Sequence, residues 1–163
     1  MKRFVLLLAI AAGLYLAGRA IVRALASDET KIRRVVEHMA DGFDRTRMDP
    51  ILDGLTRDFE DETSGASRRE MREALAYLFF EAVDEHTKHF AYRVEVAIGR
   101  IAVDRANADA PTAECELDAR FLDLRASGES PAWEIAVTAS LRRGEDGWRI
   151  RRTKHATKSG ERL

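Results

Sequence analysis

Apolar residues recur at three- and four-residue spacing along the first half of the chain, the period of helices that bury one face. The first such stretch starts at Asp28, the predicted N-cap, and its apolar face extends to Phe43. Asp49 and Pro50 predict a second cap and a first-turn proline, for a short helix that ends near Leu55. Two helices, one long and one short, are therefore expected here.

A third helix is predicted after residue 66, because Ser67 and Glu70 have the spacing of a capping box. The apolar positions that follow lie on one side of that helix: Met71, Leu75, Leu78, Phe79 and Ala82. Tyr77 and Phe80 are expected to widen this apolar stripe. The acidic stretch at residues 58–65 suits either a short strand or a loop.

After residue 85 the apolar positions alternate with polar ones, which is the period of half-buried strands. The main strands are expected at residues 90–98, 113–121, 133–141 and 148–155. Gly99 marks a turn or a bulge before a short following strand at residues 101–103. Three helices followed by this meander predict an α+β domain, with the helices packed on one side of a curved antiparallel sheet of four main strands.

The N-terminal segment, residues 1–26, has the pattern of a membrane-targeting sequence. Lys2 and Arg3 precede an apolar run at residues 4–18, and an Ala-Leu-Ala sequence before Ser27 resembles a signal-peptide cleavage site. An uncleaved hydrophobic anchor helix is an equal alternative. Basic residues also follow the run, so the positive-inside rule favours a cytoplasmic domain, whereas the cleavage-site pattern favours export.

The rest of the chain is divided into one domain, residues 27–157, and a polar tail, residues 158–163. Four of the 27 basic residues and none of the 28 acidic residues precede Ser27, so the remainder carries 23 basic against 28 acidic residues, a net charge of −5. An acidic domain whose basic C-terminal end has no interleaved aromatic residues beyond Trp148 is poorly suited to nucleic acid. No nucleic-acid partner is expected, and the basic end is interpreted as a solvated edge strand and tail.

No metal ion or cofactor is expected. His86 and His89 have a spacing that allows metal chelation with a nearby carboxylate, but solvated polar residues at a link between helix and strand are the favoured interpretation. The carboxylates at residues 58–62 lack the spacing of a calcium loop. The single cysteine, Cys115, excludes a disulfide within the chain and alternates with apolar positions, which predicts a buried thiol.

The order of these elements resembles a known superfamily. The stretch MDPILDGLTRDFEDE, the capped helix that follows it and the GWRIRR strand near the C terminus are similar to the nuclear transport factor 2-like superfamily, over about residues 28–155. The resemblance implies a cone-shaped α+β fold. Members include steroid isomerases, polyketide cyclases, dehydratases and transport factors, so the resemblance alone does not choose a function.

The resemblance also implies a ligand pocket between the concave sheet and the helices. Its lining would be formed by Met39, Phe43, Phe59, Phe79, Tyr92, Phe121, Trp133 and Trp148. In the ketosteroid isomerase branch a first-helix tyrosine binds the oxyanion, but Met39 stands at that position and cannot donate a hydrogen bond. The base carboxylate of that branch would correspond to Glu62, and His155 in the last strand is a second acid–base candidate.

Three hypotheses on function follow. The favoured one is a noncatalytic domain, membrane-tethered through residues 1–26 or exported, that binds a small apolar ligand or a protein partner, with a homodimer through the sheet as one assembly. The rival is a small enzyme of isomerase, polyketide cyclase or dehydratase type that uses Glu62 or His155 inside the cone. The third is a cytoplasmic assembly factor docked on the membrane by its N-terminal helix.

Overall fold

The structure of the chain, a computed structural model, describes residues 26–85, 87–107, 110–125 and 131–160. The three helices are α1 (Asp28–Asp44), α2 (Met48–Asp53) and α3 (Arg68–Glu81). The strands are β1 (Leu55–Asp61), β2 (Tyr92–Asp104), β3 (Thr112–Asp123), β4 (Trp133–Gly144) and β5 (Gly147–Gly160). Residues 1–25 of the predicted signal or anchor segment lie outside the described residues. Among the described helices, none is long and apolar enough to cross a membrane.

The first two helices begin differently from the prediction. Ser27, not Asp28, is the N-cap of α1, since its side chain accepts a hydrogen bond from the Thr30 N–H at 3.2 Å. Asp28 instead lies in the first turn, where a carboxylate interacts favourably with the helix dipole. The predicted cap at Asp49 is wrong, because the N-cap of α2 is Arg47, two residues earlier, and its side chain makes no capping hydrogen bond. Leu55 opens β1 rather than closing α2.

The third helix begins as predicted. The Ser67 hydroxyl accepts a hydrogen bond from the Glu70 N–H at 3.4 Å, and the Glu70 carboxylate accepts one from the Ser67 N–H at 2.7 Å, which confirms the capping box. Leu75 is buried on the inner side of the helix. Tyr77 and Phe80 are 70% and 79% exposed, so the expectation that they widen the buried stripe was wrong.

The strands form one sheet in the order β1-β5-β4-β3-β2. β2 to β5 form the predicted antiparallel meander. The predicted sheet was one strand short, because the stretch left open as strand or loop forms β1, which pairs parallel to β5. β5 also continues past His155 to Gly160, so the first residues of the predicted C-terminal tail belong to the sheet.

Two irregularities determine which side chains point to the inner face of the sheet, the face toward the helices. In β2 the register shifts between Ile98 and Ile101, so the predicted turn or bulge is a bulge within one continuous strand. In β5 the register against β4 shifts at Arg151. Because one extra residue reverses the faces that later side chains take, this shift turns Thr153 and His155 inward.

Side chains from the helices and the sheet form two packed clusters. The closed end, around the start of α1, is built on the buried residues Ile32, Val36, Leu52, Leu55, Phe59, Ala113, Cys115, Ala139, Leu141, Trp148 and Ile150. The aromatic end, around the end of α1, is built on Phe43, Ile51 and Leu75, with Phe79, Phe90, Tyr92 and Phe121 packed against them. The helix α1 therefore contributes to both clusters, and the burial of Cys115 is as predicted.

Candidate functional site

A pair of ionisable side chains, Asp61 and His155, lies on the inner face between β1 and β5. The parallel pairing places Asp61 beside Thr153, two residues from His155. Asp61 Oδ1 lies 3.3 Å from His155 Nδ1 and accepts a hydrogen bond from Thr153 Oγ1 at 2.9 Å. The Ser64 N–H and hydroxyl both donate to Asp61 Oδ2, at 3.0 and 2.5 Å. Asp61 is thus surrounded by donors and is 3% exposed.

The charge state of Asp61 follows from these contacts. Burial by itself raises the pKa of the Asp61 carboxyl, but the hydrogen bonds from Ser64 and Thr153, with the nearby His155, outweigh burial and lower that pKa below its ordinary value of 3.8. A carboxylate at Oδ1 favours the His155 tautomer that carries hydrogen on Nδ1 and leaves Nε2 as an acceptor. Such a pair is able to take up and return a proton wherever a substrate reaches Nε2.

Aromatic rings lie beside this pair on the inner face. Trp133 meets the His155 ring edge to face, with 6.0 Å between ring centroids, and its Nε1 donates to Thr157 Oγ1 at 3.2 Å. Phe121 stacks on Trp133 at 5.2 Å between centroids. The His155 side chain is 16% exposed as a result of this packing and its contact with Asp61.

Phe43 is the centre of the aromatic end. Its ring lies edge-on to those of Phe79, Phe90 and Phe121, with centroid separations of 5.8, 5.4 and 5.4 Å. Phe90 in turn contacts the Tyr92 ring edge-on at 5.9 Å. These rings pack against one another in the space that the resemblance assigned to a ligand.

The eight predicted lining residues do not surround one space. Five of them lie at or beside the aromatic end: Phe43, Phe79, Tyr92, Phe121 and Trp133. Phe59 and Trp148 belong to the closed end, where each is 4% exposed, so they do not share a pocket with the other five. Met39 packs against both clusters, and its sulfur fills the space beside Gly54 that a Cβ atom would need.

Glu62, the predicted base, does not face His155. It is exposed, and its carboxylate lies 3.6 Å from Arg152 Nη1. Adjacent residues of an extended chain point to opposite faces, so Asp61 is the carboxylate beside His155. The signal that favours Asp61 over Glu62 in the sequence is its two-residue separation from Phe59, the large apolar residue of the same stretch.

A second polar cluster, at the closed end, holds the start of α1. Asp28 Oδ1 accepts a hydrogen bond from Trp148 Nε1 at 3.2 Å, and Asp28 Oδ2 lies 3.0 Å from Arg105 Nη2. The bond from Trp148 comes first among the causes that lower the pKa of Asp28, and Arg105 and Arg143 lower it further against the effect of burial. Local sequence patterns assigned Asp28 only the role of a cap, because its partners are distant along the chain.

The predicted histidine pair does not form a described metal site. His86 lies outside the described residues, and His89 is exposed. Within the part of the chain that the structure describes, no group of three His, Cys, Asp or Glu side chains is placed to hold a metal ion. The Cys115 thiol is fully buried, and burial raises its pKa, so it has little thiolate character at neutral pH.

An exposed aromatic patch lies next to the aromatic end and consists of four exposed apolar side chains: Tyr77, Phe80, Val83 and Leu124. Tyr77 and Phe80 are neighbours one turn apart on α3. The backbone of Ala91 connects the positions of Val83 and Leu124. The Ala91 N–H donates to the carbonyl of Ala82, next to Val83, and the Ala91 carbonyl accepts a hydrogen bond from the Leu124 N–H. The four side chains therefore occur at one end of the molecule.

No protein-family model matches the sequence, and a search of curated proteins gives no match. Solved structures do match. A domain of unknown function with a cystatin-like fold from Nostoc punctiforme has a TM-score of 0.63 and 18% identity, over 81% of this chain and 78% of that one. A protein described as NTF2-like with a cystatin-like fold, from Novosphingobium aromaticivorans, has a TM-score of 0.60 and 20% identity over 90% of both chains.

A third solved structure comes from Erwinia carotovora atroseptica and is described as a ketosteroid isomerase-like protein. It has a TM-score of 0.52 and 15% identity, and the match covers 80% of this chain and 95% of that one. Identities this low show likeness of fold alone.

Proposed function

Because the chain has the nuclear transport factor 2-like fold, which proteins of many activities share, we propose its function from its own surfaces: it is a noncatalytic domain that binds a protein partner. The observation that carries this proposal is the exposed aromatic patch, in which Phe80 is 79% exposed. A group of exposed apolar side chains at one end of a soluble protein marks a candidate interaction site. Tyrosine and phenylalanine are also enriched in the central part of protein interfaces.

The interior of the cone supports a protein partner rather than a small apolar ligand. The rings of Phe43, Phe79 and Phe90 contact one another edge-on, so they themselves occupy the space where a ligand would lie. The Asp61 carboxylate is occupied by donors from within the chain, notably Ser64. Both observations favour structural roles for groups that the resemblance had placed in a pocket.

The charges around the patch specify the chemistry of the partner. Exposed carboxylates occur at Glu73, Glu81 and Glu85, and the last turn of α3 has no basic residue. A protein segment that presents apolar side chains to Tyr77 and Phe80, with lysines or arginines at its edges, would match both the apolar centre and the acidic rim.

The patch is remote from the N-terminal end of the domain. The 17 residues of α1 span about 25 Å at 1.5 Å per residue, between Ser27 and the aromatic end. If residues 1–26 tether the chain to a membrane, as the sequence suggests, the length of α1, about 25 Å, separates the end of that tether from the aromatic end. The partner would then be met in the aqueous compartment rather than at the lipid surface.

A peptide titration tests this proposal. The probe is an amphipathic helical peptide of leucine and lysine, compared with one of leucine and glutamate, and binding is followed by anisotropy of the labelled peptide. We expect the lysine peptide to bind more tightly, Phe80→Ala to weaken it by roughly tenfold, and Glu81→Lys to weaken it in a salt-dependent way. Glu145→Lys, an equal charge change at an exposed residue of the turn between β4 and β5, is the control and should leave binding unchanged. Equal binding of both peptides, or no effect of Phe80→Ala, would contradict the proposal.

A second candidate function is acid–base catalysis by His155, and the Asp61 contact is the observation that favours it. The probe is a panel of hydrophobic ketones in D₂O, in which a base accelerates exchange of the protons next to the carbonyl. Exchange that is lost in His155→Gln and kept in Phe80→Ala would establish the enzyme. If the unaltered protein did not accelerate proton exchange in any ketone of the panel, this second candidate function would be ruled out.

A further inference from the structure

The two edge strands of the sheet, β1 and β2, differ in how their outward sides are covered. On β1, Glu60 forms an antiparallel bridge with Ser67. The Asp61 N–H donates to the Ala66 carbonyl at 2.8 Å, so the turn before α3 covers this strand. β2 pairs with β3 on one side, and no described strand lies on its other side. An edge strand without a partner presents a row of unpaired N–H and C=O groups.

One hydrogen bond shows which backbone groups of β2 point away from β3. The Val94 N–H donates to Asp44 Oδ1, in the last turn of α1, at 2.8 Å. In an antiparallel pair, alternate residues direct their N–H and C=O groups to the same side of the strand. The bulge adds one residue, which moves the outward positions from even to odd numbers. The open edge of β2 is therefore formed by the outward backbone groups of Val96, Ile98, Ile101 and Val103.

The side chains of these four residues are also incompletely buried. They face the helices and pack against the closed end, but all four stay half-buried. Three of the residues opposite them on β3, Ala113, Cys115 and Ala119, are buried. Within the described residues, no group accepts a hydrogen bond from the N–H groups of the open edge. Both the backbone and the apolar side chains of this edge are thus available to a further strand.

One side of α1 forms a wall beside the open edge. Asp44 lies on that side, because its carboxylate reaches the Val94 N–H. At the other end of the helix, Asp28 lies 3.0 Å from Arg105, which directly follows β2, so α1 runs beside the strand along its length. Residues spaced three and four apart share one side of a helix, and those on the side of Asp44 are Arg33, Glu37 and Ala40.

We propose that the groove between α1 and the open edge binds an extended segment of another protein, which pairs with β2 as a further strand of the sheet. The backbone of the segment bonds to the outward N–H and C=O groups, the mode in which sheet edges take up peptides. Residues directly opposite each other share a face, so every second side chain of the segment turns toward the helices and is apolar. This proposal does not rest on the exposed aromatic patch, which is a different surface.

The position of α1 favours a segment without a helix of its own over a second copy of this chain. Because the Asp44 carboxylate reaches the outward N–H of Val94, α1 ends beside the edge itself. Two copies joined edge to edge would bring two such helices over strands that lie about 4.8 Å apart, whereas packed helices need about 8–10 Å between their axes. A single extended segment avoids this conflict.

Amide hydrogen exchange tests whether the edge is open. In the full chain, kept in a mild detergent and followed by NMR, the outward amides of Val96 and Ile98 should exchange roughly tenfold or more faster than those of Glu95 and Ala97, which bond to β3. Equal protection of both pairs in a dilute sample would show that the chain itself covers the edge. Protection of the outward amides only in a concentrated sample would place a second copy there. Either result would overturn the proposal.

A strand-forming peptide tests the pairing. The probe has about eight residues, with valine at every second position, threonine between, and a lysine at each end for solubility. Methyl groups on the valine amides remove the donors that face β2, whereas methyl groups on the threonine amides remove only donors on the far side. We expect the threonine-methylated peptide to bind and to slow exchange at Val96 and Ile98, and the valine-methylated peptide to bind roughly tenfold more weakly. Equal binding of the two forms, or no binding of the first, would contradict the proposal.

Substitutions on α1 test the groove. Ala40→Arg places a long side chain in it and should weaken the threonine-methylated peptide by roughly tenfold, whereas His38→Arg, an exposed position on the other side of α1, is the matched control. Arg33→Trp, at an exposed position of the groove side, blocks the groove without entering the core, and circular dichroism verifies folding. Phe80→Ala should leave this binding unchanged, which separates the groove from the exposed aromatic patch. Binding that ignores both groove variants would overturn the proposal.

Discussion

The closed end and the aromatic end differ in how completely they remove apolar side chains from water. At the closed end Ile32, Cys115 and Leu141 are 2% exposed or less. At the aromatic end Phe43 is buried, but rings such as Phe79 that pack around it stay partly exposed. Since both ends use the same helix α1, the difference lies in the packing of the side chains: aliphatic groups together with Phe59 and Trp148 close one end, and rings at the other end stay partly exposed. The closed end should therefore carry most of the stability, and the aromatic end most of the recognition.

The largest effect should come from Leu141→Ala at the closed end. The change removes a fully buried side chain and leaves a cavity among residues that are held by the sheet, so we expect a loss of about 2–5 kcal/mol in the free energy of unfolding. Urea denaturation followed by circular dichroism measures it. A loss below about 1 kcal/mol would show that this end can collapse around the gap, and that the two ends do not differ as described.

Asp61→Asn should have the next largest effect, because it removes the charge of a buried carboxylate that lies between the two ends. The amide is unable to accept all the hydrogen bonds that the carboxylate takes, so we expect a loss of about 1–3 kcal/mol at pH 7. Glu62→Gln, the exposed neighbour, is the matched control and should change stability by less than about 0.5 kcal/mol.

The pH dependence of the same variant gives an independent measurement. The folded-state pKa of Asp61 lies below its ordinary value of 3.8, so its stabilising contribution is present above that pH and is lost as the pH falls through the folded-state value. The difference in stability between the unaltered protein and Asp61→Asn should therefore be constant near neutral pH and shrink in acid below about pH 4. A difference that stays constant into strong acid would contradict the lowered pKa.

Asp28→Ala should have a smaller effect at the closed end. It leaves Trp148 Nε1 without its acceptor and separates α1 from Arg105, for an expected loss of about 1–2 kcal/mol. Glu29→Ala changes an exposed carboxylate in the same helix turn and is the control. Equal losses in the two variants would show that only the helix dipole is involved.

Phe80→Ala should have the smallest effect on stability, within about 0.5 kcal/mol, because the ring is exposed. The variant sharpens the comparison, since it should weaken peptide binding by roughly tenfold while leaving urea denaturation almost unchanged. A loss of more than about 1 kcal/mol would mean that the ring supports the fold, and the patch would then lose its interpretation as a binding surface.

The fold was largely readable from local patterns. The capping box at Ser67 and the alternation from Phe90 onward predicted α3 and the antiparallel strands, because helix caps and half-buried strands leave strong local signals. The fold of the predicted superfamily is confirmed by the solved structures that match. β1 was left undecided because it is short and acidic, and its parallel partner is more than 90 residues away.

The candidate site was less readable, because its geometry depends on contacts that local patterns do not encode. Glu62 and Asp61 are adjacent and chemically alike, and only the face of the strand decides which carboxylate meets His155. Whether rings line a pocket or fill it depends on how Phe43 packs, which the spacing of apolar residues does not specify. The direction taken by Tyr77 and Phe80 was misread for the same reason.

The bulge between Ile98 and Ile101 sets a phase for everything that follows it in β2. Apolar side chains occupy even-numbered positions before it and odd-numbered positions after it, and all of them face the helices. Deleting Arg100 would therefore remove the bulge without changing the faces: Ile98, Gly99 and Ile101 would follow the plain alternation of a strand, and Ile101 and Val103 would still face the helices opposite Cys115 and Ala113. Single-residue deletions at this point should consequently be better tolerated than deletions in β3, which has no extra residue and would turn apolar side chains away from the helices.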